Sequence, residues 1–228
     1  GTAEIITGGG PHIKIFSGSS GAELYGFFAF SPSDSVGVFL ATGDINNDGT
    51  PDLLVSGGRN PRVNVYDGSR LMQSLDASKA LILVIPTGNL VADVAPVAAA
   101  DISRDGRADV ILGSGSQQQA KVVILNSGRL LAGESAQSAI SFSFRPYGEF
   151  TGGAWVAAGD INQDGHADVL TGAGAGGGPH VKLYDGRNLN AGNLATLRSF
   201  FPYPNSHSGC VRVAMNSAGE EGLGFAVS

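Results

Sequence analysis

The chain has 228 residues, 35 of them Gly, with 42% apolar and 15% charged residues and a net charge of −6. That length can bury a substantial core, while the absence of any basic run argues against nucleic acid as a partner. No apolar stretch approaches the roughly 18 residues of a membrane-spanning helix. The single cysteine, Cys210, leaves no disulfide framework and reads as a small hydrophobe on a strand.

In chain order, the Gly-rich turn Gly8-Gly-Gly-Pro-His12 opens a strand ending at Ser17-Gly18, and a further strand covers 24–30. An apolar run at 38–41 then leads into Asp44-Ile-Asn-Asn-Asp-Gly-Thr-Pro-Asp52, followed by a strand at 53–55. After a Gly-rich turn at 57–58, a strand runs to Tyr66-Asp-Gly68, and a variable stretch precedes a fourth strand at 80–85. The order repeats: a run at 97–100, the loop Asp101-Ile-Ser-Arg-Asp-Gly-Arg-Ala-Asp109, a strand at 110–112, a turn from Gly113, a strand closed by Gly128, and a fourth at 140–144. It repeats once more, with a run at 155–158, the loop Asp160-Ile-Asn-Gln-Asp-Gly-His-Ala-Asp168 and a strand at 169–171. The turn Gly176-Gly-Gly-Pro-His180, a strand to Gly186 and a fourth at 197–201 complete that copy. At the end, 210–214 reads as a first strand, 216–222 as a loop without its carboxylates, and 223–227 as a second strand.

The loops carry the chemistry. Counting the first Asp as position 1, oxygen side chains stand at positions 1, 3, 5 and 9: Asp44, Asn46, Asp48 and Asp52; Asp101, Ser103, Asp105 and Asp109; Asp160, Asn162, Asp164 and Asp168. Calcium takes about six to eight oxygens in a flexible shell. Gly at position 6 permits the turn around the ion, and position 7 (Thr50, Arg107, His166) can add a backbone carbonyl. The imidazole of His166 is expected in solvent. An Asx-turn explains one such loop without metal, but a turn does not require a carboxylate at position 9. No bidentate Glu follows at position 12, and apolar runs flank each loop, so it joins strands rather than helices. Such a site is expected to act as a fixed staple, with about three calcium ions in the chain. The middle site is expected to be weakest, because Ser103 is a neutral ligand and Arg104 and Arg107 lie beside it.

Loops starting at 44, 101 and 160 set a period that holds four strands, the signature of propeller blades. Residues 150–174, Phe-Thr-Gly-Gly-Ala-Trp-Val-Ala-Ala-Gly-Asp-Ile-Asn-Gln-Asp-Gly-His-Ala-Asp-Val-Leu-Thr-Gly-Ala-Gly, resemble the FG-GAP, or integrin-α-like, repeat and the related VCBS repeats. The resemblance covers nearly the whole chain. It implies an all-β, calcium-binding β-propeller of a kind used in adhesion receptors, in lectins and beside enzymes. Fold alone does not choose among those uses.

One domain over 1–228 with about four blades is the expected organisation. Gly1-Thr2-Ala3-Glu4 aligns with Gly49-Thr50-Pro51-Asp52, so 210–214 is expected to supply the innermost strand of the first blade and close the ring. That leaves 223–228 surplus. The alternative is a segment of a larger ring of about seven blades.

Strand polarity places the loops on one rim and the Gly-rich turns, with the links between blades, on the other. That second rim gathers His12, Arg59, Arg62, Tyr147, Phe150, His180, Tyr203 and His207. Of these, His12, Tyr147, Phe150, His180 and Tyr203 form the expected ligand face, since loops on a rigid scaffold commonly carry recognition. The competing reading gives the histidines to the turns and packs Tyr147 and Phe150 between blades. Trp155, on an innermost strand, is expected to line the axis. Nucleophile-elbow, zinc-protease and phosphate-loop motifs are absent from the sequence. The sequence therefore points to a non-catalytic, calcium-stabilised module outside the cell, at the cell surface or in the periplasm, binding protein or glycan. The alternatives are a lectin or an accessory domain of a larger secreted enzyme.

Overall fold

A computed structural model of the chain describes residues 3–34, 36–91, 95–204 and 209–215, with the backbone of 225–227. Antiparallel strands follow one another in chain order within each sheet. The first sheet holds β1 (Ile5–Gly9), β2 (His12–Phe16) and β3 (Glu23–Phe28). The second holds β4 (Phe39–Gly43), β5 (Asp52–Gly57), β6 (Arg62–Tyr66) and β7 (Leu81–Pro86). The third is β8 (Val97–Ala100), β9 (Asp109–Gly113), β10 (Val122–Leu125) and β11 (Ile140–Phe144). The fourth is β12 (Ala154–Gly159), β13 (Asp168–Ala173), β14 (Val181–Tyr184) and β15 (Thr196–Phe200). A two-stranded sheet of β16 (Val213–Met215) and β17 (Phe225–Val227) ends the succession.

The burial of the second strands explains why they are apolar throughout. In a strand, successive side chains point to opposite faces. Leu53 and Val55 of β5 therefore join Ile13, Ile15 and Phe27 of the first sheet, while Leu54 joins Val110, Leu112 and Val123 of the third. Likewise Ile111 packs with Val156 and Val169 of the fourth sheet, opposite its neighbours Val110 and Leu112. Leu170, Val181 and Leu183 form a last cluster with Val211 and the half-buried Val213. Each core is thus a layer between two sheets, so no sheet is stable on its own. Fourth strands cover one neighbour only, and β15 is exposed from Thr196 to Ser199.

First strands lie side by side around an axis. Phe39 of β4 and Trp155 of β12 meet edge to face across it, 5.2 Å between ring centres, and the Arg212 guanidinium lies 4.9 Å over the Trp155 ring. Trp155 lines the axis as expected, in a cavity of about 410 Å³.

Among the described residues, 210–214 is not seen paired with the first sheet. β16 pairs with β17, Val213 opposite Val227, and among the described residues β1 pairs only with β2. The reason is local: β16 flanks β12 as β12 flanks β8. A Cβ on Gly172 would lie 2.1 Å from the Val211 carbonyl, just as one on Gly113 would lie 2.1 Å from that of Ala154. The chain enters its next sheet through the same contact it used before, and the surplus strand is the partner of β16. The loop read at 216–222, and His207, lie outside the described residues.

Helical turns fill the stretches read as variable: α1 (Gly68–Ser74), α2 (Ala77–Ala80), α3 (Gly88–Val91), α4 (Ser127–Leu131) and α5 (Gly186–Asn190). Asp67, Asn126 and Asp185 cap α1, α4 and α5, each accepting the N–H three residues on, so the small polar turn after the third strand is a helix start.

Candidate cation loops and the opposite rim

The loops fold alike. Position 4 is left-handed without being Gly (Asn47 φ 61°, Arg104 61°, Gln163 60°), and position 6 is left-handed Gly (Gly49 85°, Gly106 86°, Gly165 84°). Position 1 accepts twice from the backbone: Asp44 from Asp48 and Gly49, Asp101 from Asp105 and Gly106, Asp160 from Asp164 and Gly165, all within 2.8–3.2 Å. In loops one and three the Asn oxygen at position 3 accepts from the same N–H, at 2.9 Å for Asn46 and 3.0 Å for Asn162. Oxygens of positions 1 and 3 therefore converge on the amide of position 5. The position-5 carboxylates accept from the N–H of Thr50, Arg107 and His166. Asp44, Asp101 and Asp160 together line the mouth of the axis on this rim, a cavity of about 380 Å³ walled by Gly43, Ala99, Ala100, Ala158 and Gly159.

Position 9 is different in kind. Asp52, Asp109 and Asp168 are buried and tie each loop to the sheet. Asp52 accepts from Ile45 and Asn46 at the loop start and from Gly68 at the start of α1. Asp168 accepts from Ile161 and Gly186. Asp109 accepts from Ile102, Ser103 and the Asn126 amide. Burial pushes the carboxyl of Asp109 up to about 6, against the opposing pull of the Ser103 N–H, and raises Asp52 and Asp168 in the same way. A buried carboxylate of this sort is stabilised as an anion by further N–H donors or by a cation.

Glycine after the third strand is required here: a Cβ on Gly68 would stand 2.0 Å from the Pro51 carbonyl and one on Gly186 1.9 Å from that of Ala167. In the third sheet Ser127 takes the place and turns its hydroxyl to the Ala108 carbonyl at 2.5 Å. Gly18 meets the Ala3 carbonyl in the same way, which places Ala3 at loop position 8.

Position 7 departs from expectation. The His166 imidazole is half-buried, with Nδ1 3.0 Å from the Ile102 carbonyl of loop two. A carbonyl only accepts, so Nδ1 carries the proton. Arg107 likewise sends its guanidinium to the Asn46 carbonyl of loop one, and Arg104 lies over Gly165 of loop three. Both arginines of loop two serve its neighbours.

On the opposite rim the packing reading prevails for the aromatic residues. Tyr147 donates to or accepts from Thr171 at 2.9 Å, donates to the His180 carbonyl at 3.0 Å, and has the Lys182 ammonium 5.5 Å from its ring centre. Burial raises its phenol well above the ordinary value. Phe150 lies against Tyr147 and over Gly177, and Tyr203 packs on the cluster of Leu170 and Val181. The His180 ring stacks on Phe201 at 4.4 Å and meets Ser199 at 2.7 Å. Tyr147, Phe150 and His180 are thus gathered between the third and fourth sheets, whereas His12 stacks on Phe28 in the first. Sequence reasoning missed Phe28 and Phe201, both about half exposed, at 53% and 54%. Their signal was present: each stands opposite the His that follows Gly-Gly-Gly-Pro.

The same rim staples sheet to sheet. Asn64 donates to the Ala29 carbonyl at 2.8 Å and Lys182 to that of Pro146 at 2.8 Å. Tyr66 and Tyr184 reach the same two carbonyls at 3.5 and 3.3 Å.

Comparison with known proteins agrees with this geometry. The model of the FG-GAP-like repeat matches residues 44–112 and 101–171, and that of the FG-GAP repeat matches 152–191. Integrin alpha pat-2 of Caenorhabditis elegans is 31% identical over an alignment covering 61% of this chain and 13% of its own length. Among solved structures, the rhamnogalacturonan lyases YesW and YesX superpose with TM-scores of 0.51 and 0.53 at 10% and 9% identity. A Bacillus licheniformis rhamnogalacturonan lyase gives 0.51 at 9%. Each covers 95% of this chain, which spans less than half of theirs, 45–47%. At such identity the likeness concerns the fold.

Proposed function

The chain belongs to the FG-GAP repeat family, and on that premise we propose that it is a calcium-stapled binding module working outside the cell. The observation that carries the reading is the three loops, alike in backbone and in the bonds accepted at positions 1 and 5, with the position-3 oxygen joining position 1 in loops one and three. Calcium would be held by Asp44, Asn46, Asp48 and the Thr50 carbonyl; by Asp101, Ser103, Asp105 and the Arg107 carbonyl; and by Asp160, Asn162, Asp164 and the His166 carbonyl. Asp52, Asp109 and Asp168 would close each shell with the lone pairs their backbone partners leave. Arg107 and Arg104 point at loops one and three, so what sets the middle site apart is the Ser103 hydroxyl in place of an Asn carboxamide at position 3.

Adhesion enters from the integrin relative, in which the matched segment is a small part of the whole. The rim away from the loops supports recognition of a protein or glycan, because it carries the exposed rings of Phe28 and Phe201 beside His12 and His180. The lyases share the sheet succession, and at 9–10% identity they lend this chain no substrate. Titration with calcium by calorimetry tests the cation reading: uptake of three ions and a rise in melting temperature are expected. Binding only to the folded state stabilises by roughly 2.7 kcal/mol per site at a hundredfold excess over Kd. Melting indifferent to calcium and chelator would end the reading. For the ligand face, Phe201→Ala should abolish capture of a cell-surface ligand that Asp164→Ala retains.

A further inference from the structure

Adjacent loops are lashed together at the very residues that would hold the cation. The N–H of Ala108 at position 8 of loop two donates to the Asp44 carbonyl at 2.7 Å, and that of Ala167 in loop three to the Asp101 carbonyl at 3.1 Å. Position 7 adds a side chain to the same strand of contacts, Arg107 to Asn46 and His166 to Ile102. The backbone that carries ligand positions 1 to 3 in one loop is therefore held by positions 7 and 8 of the next. Position 7 is also where the backbone carbonyl would meet the ion. Order imposed there reaches, through one side chain, the ligands of the preceding loop.

Resting on the calcium reading above, we propose that the three sites fill as a coupled row, with Arg107 and His166 as the positioning residues that transmit order from loop to loop. An ion in loop three fixes the His166 backbone and with it the imidazole, which holds the carbonyl of Ile102 between Asp101 and Ser103. Loop two then loses less conformational freedom when its own ion arrives. The effect is reciprocal, since an ion in loop two presents a fixed acceptor to His166. Arg107 does the same between loops two and one. Its guanidinium adds a fixed positive charge that opposes an ion in loop one, so the His166 link gives the cleaner measurement.

Calorimetric calcium titration of the whole chain, repeated with terbium luminescence, tests the coupling. The expected wild-type isotherm has a Hill coefficient above unity, falling to unity in the His166→Ala, Arg107→Ala double variant. Emptying loop three with Asp164→Ala should weaken calcium at loop two by roughly fivefold or more, and should do nothing further once His166 is Ala. His166→Gln, which restores a donor, should recover part of the steepness. Three ions taken up at a Hill coefficient of unity by the wild type would refute the coupling while leaving the cation reading intact. So would steepness that survives the double variant, or loss of one ion outright in His166→Ala. No uptake by the wild type would overturn both.

Discussion

The two rims copy the repeat with different fidelity. On the loop rim, left-handed positions 4 and 6, the double acceptance at position 1 and the buried carboxylate at position 9 recur in all three copies. On the opposite rim the equivalent site is filled in three different ways across the four sheets. His12 stacks on Phe28, Arg62 covers Phe30, Lys121 donates to the Leu90 carbonyl, and His180 stacks on Phe201. Backbone hydrogen bonds in a tight loop demand particular residues, because each orphaned group costs free energy. Side-chain packing tolerates substitution of like volume. The faithful rim is therefore where the fold is pinned, and the variable rim is where a binding surface can diverge.

The sharpest way to break this contrast is at position 9. Asp168→Ala strands the N–H groups of Ile161 and Gly186 inside the protein, and roughly 3 kcal/mol of stability should go, read by urea unfolding without calcium. Asp164→Ala, at a half-buried position, should cost about 1 kcal/mol or less under the same conditions. Equal losses would mean that the loop is pinned evenly rather than from its last residue. A second comparison uses glycine. Gly186→Ala forces a Cβ to within 1.9 Å of the Ala167 carbonyl and should cost about 2–3 kcal/mol. Gly9→Ala, with no atom within 4 Å of the new Cβ, should change stability by less than about 0.5 kcal/mol.

What was legible in the sequence follows the same division. The loops, their flanking strands and the four-strand period could be read because carboxylate spacing and Gly at position 6 are local demands. The apolar runs at 53–55, 110–112 and 169–171 could be read as fully buried strands for the same reason. Closure could not, because whether β16 joins β1 or starts another sheet depends on how Val211 seats on Gly172, a contact between distant residues. The helices after the third strand hid behind Asp67, Asn126 and Asp185, which look like turn residues and act as caps. For Tyr147 the sequence left a ligand face and packing between blades both open, and its hydroxyl is spent on Thr171 and the His180 carbonyl. At position 7 the backbone role was read and the side-chain role was not, since nothing in one loop reveals where its neighbour sits.

Smaller effects sharpen the contrast further. Tyr147→Phe keeps the ring between the third and fourth sheets and removes its hydroxyl bonds, so about 1 kcal/mol should be lost in calcium-free urea melts. A loss confined to ligand binding, with stability intact, would return Tyr147 to the recognition surface.

The smallest effect concerns the pH response of the variable rim. Burial against Phe201, aided by the Lys182 charge, lowers the His180 pKa below its ordinary 6.5. The unfolded chain therefore takes up a proton more readily than the folded one between those two values. Stability from this group is fully present above 6.5 and is lost as pH falls through that window towards the folded value. The His180 ring resonances should accordingly titrate below 6.5 by NMR. The difference in unfolding free energy between wild type and His180→Gln should shrink on acidification across the same range. A midpoint at or above the ordinary value would show that the stack leaves the imidazole hydrated, and with it that the His–Phe pair is open to solvent on both faces.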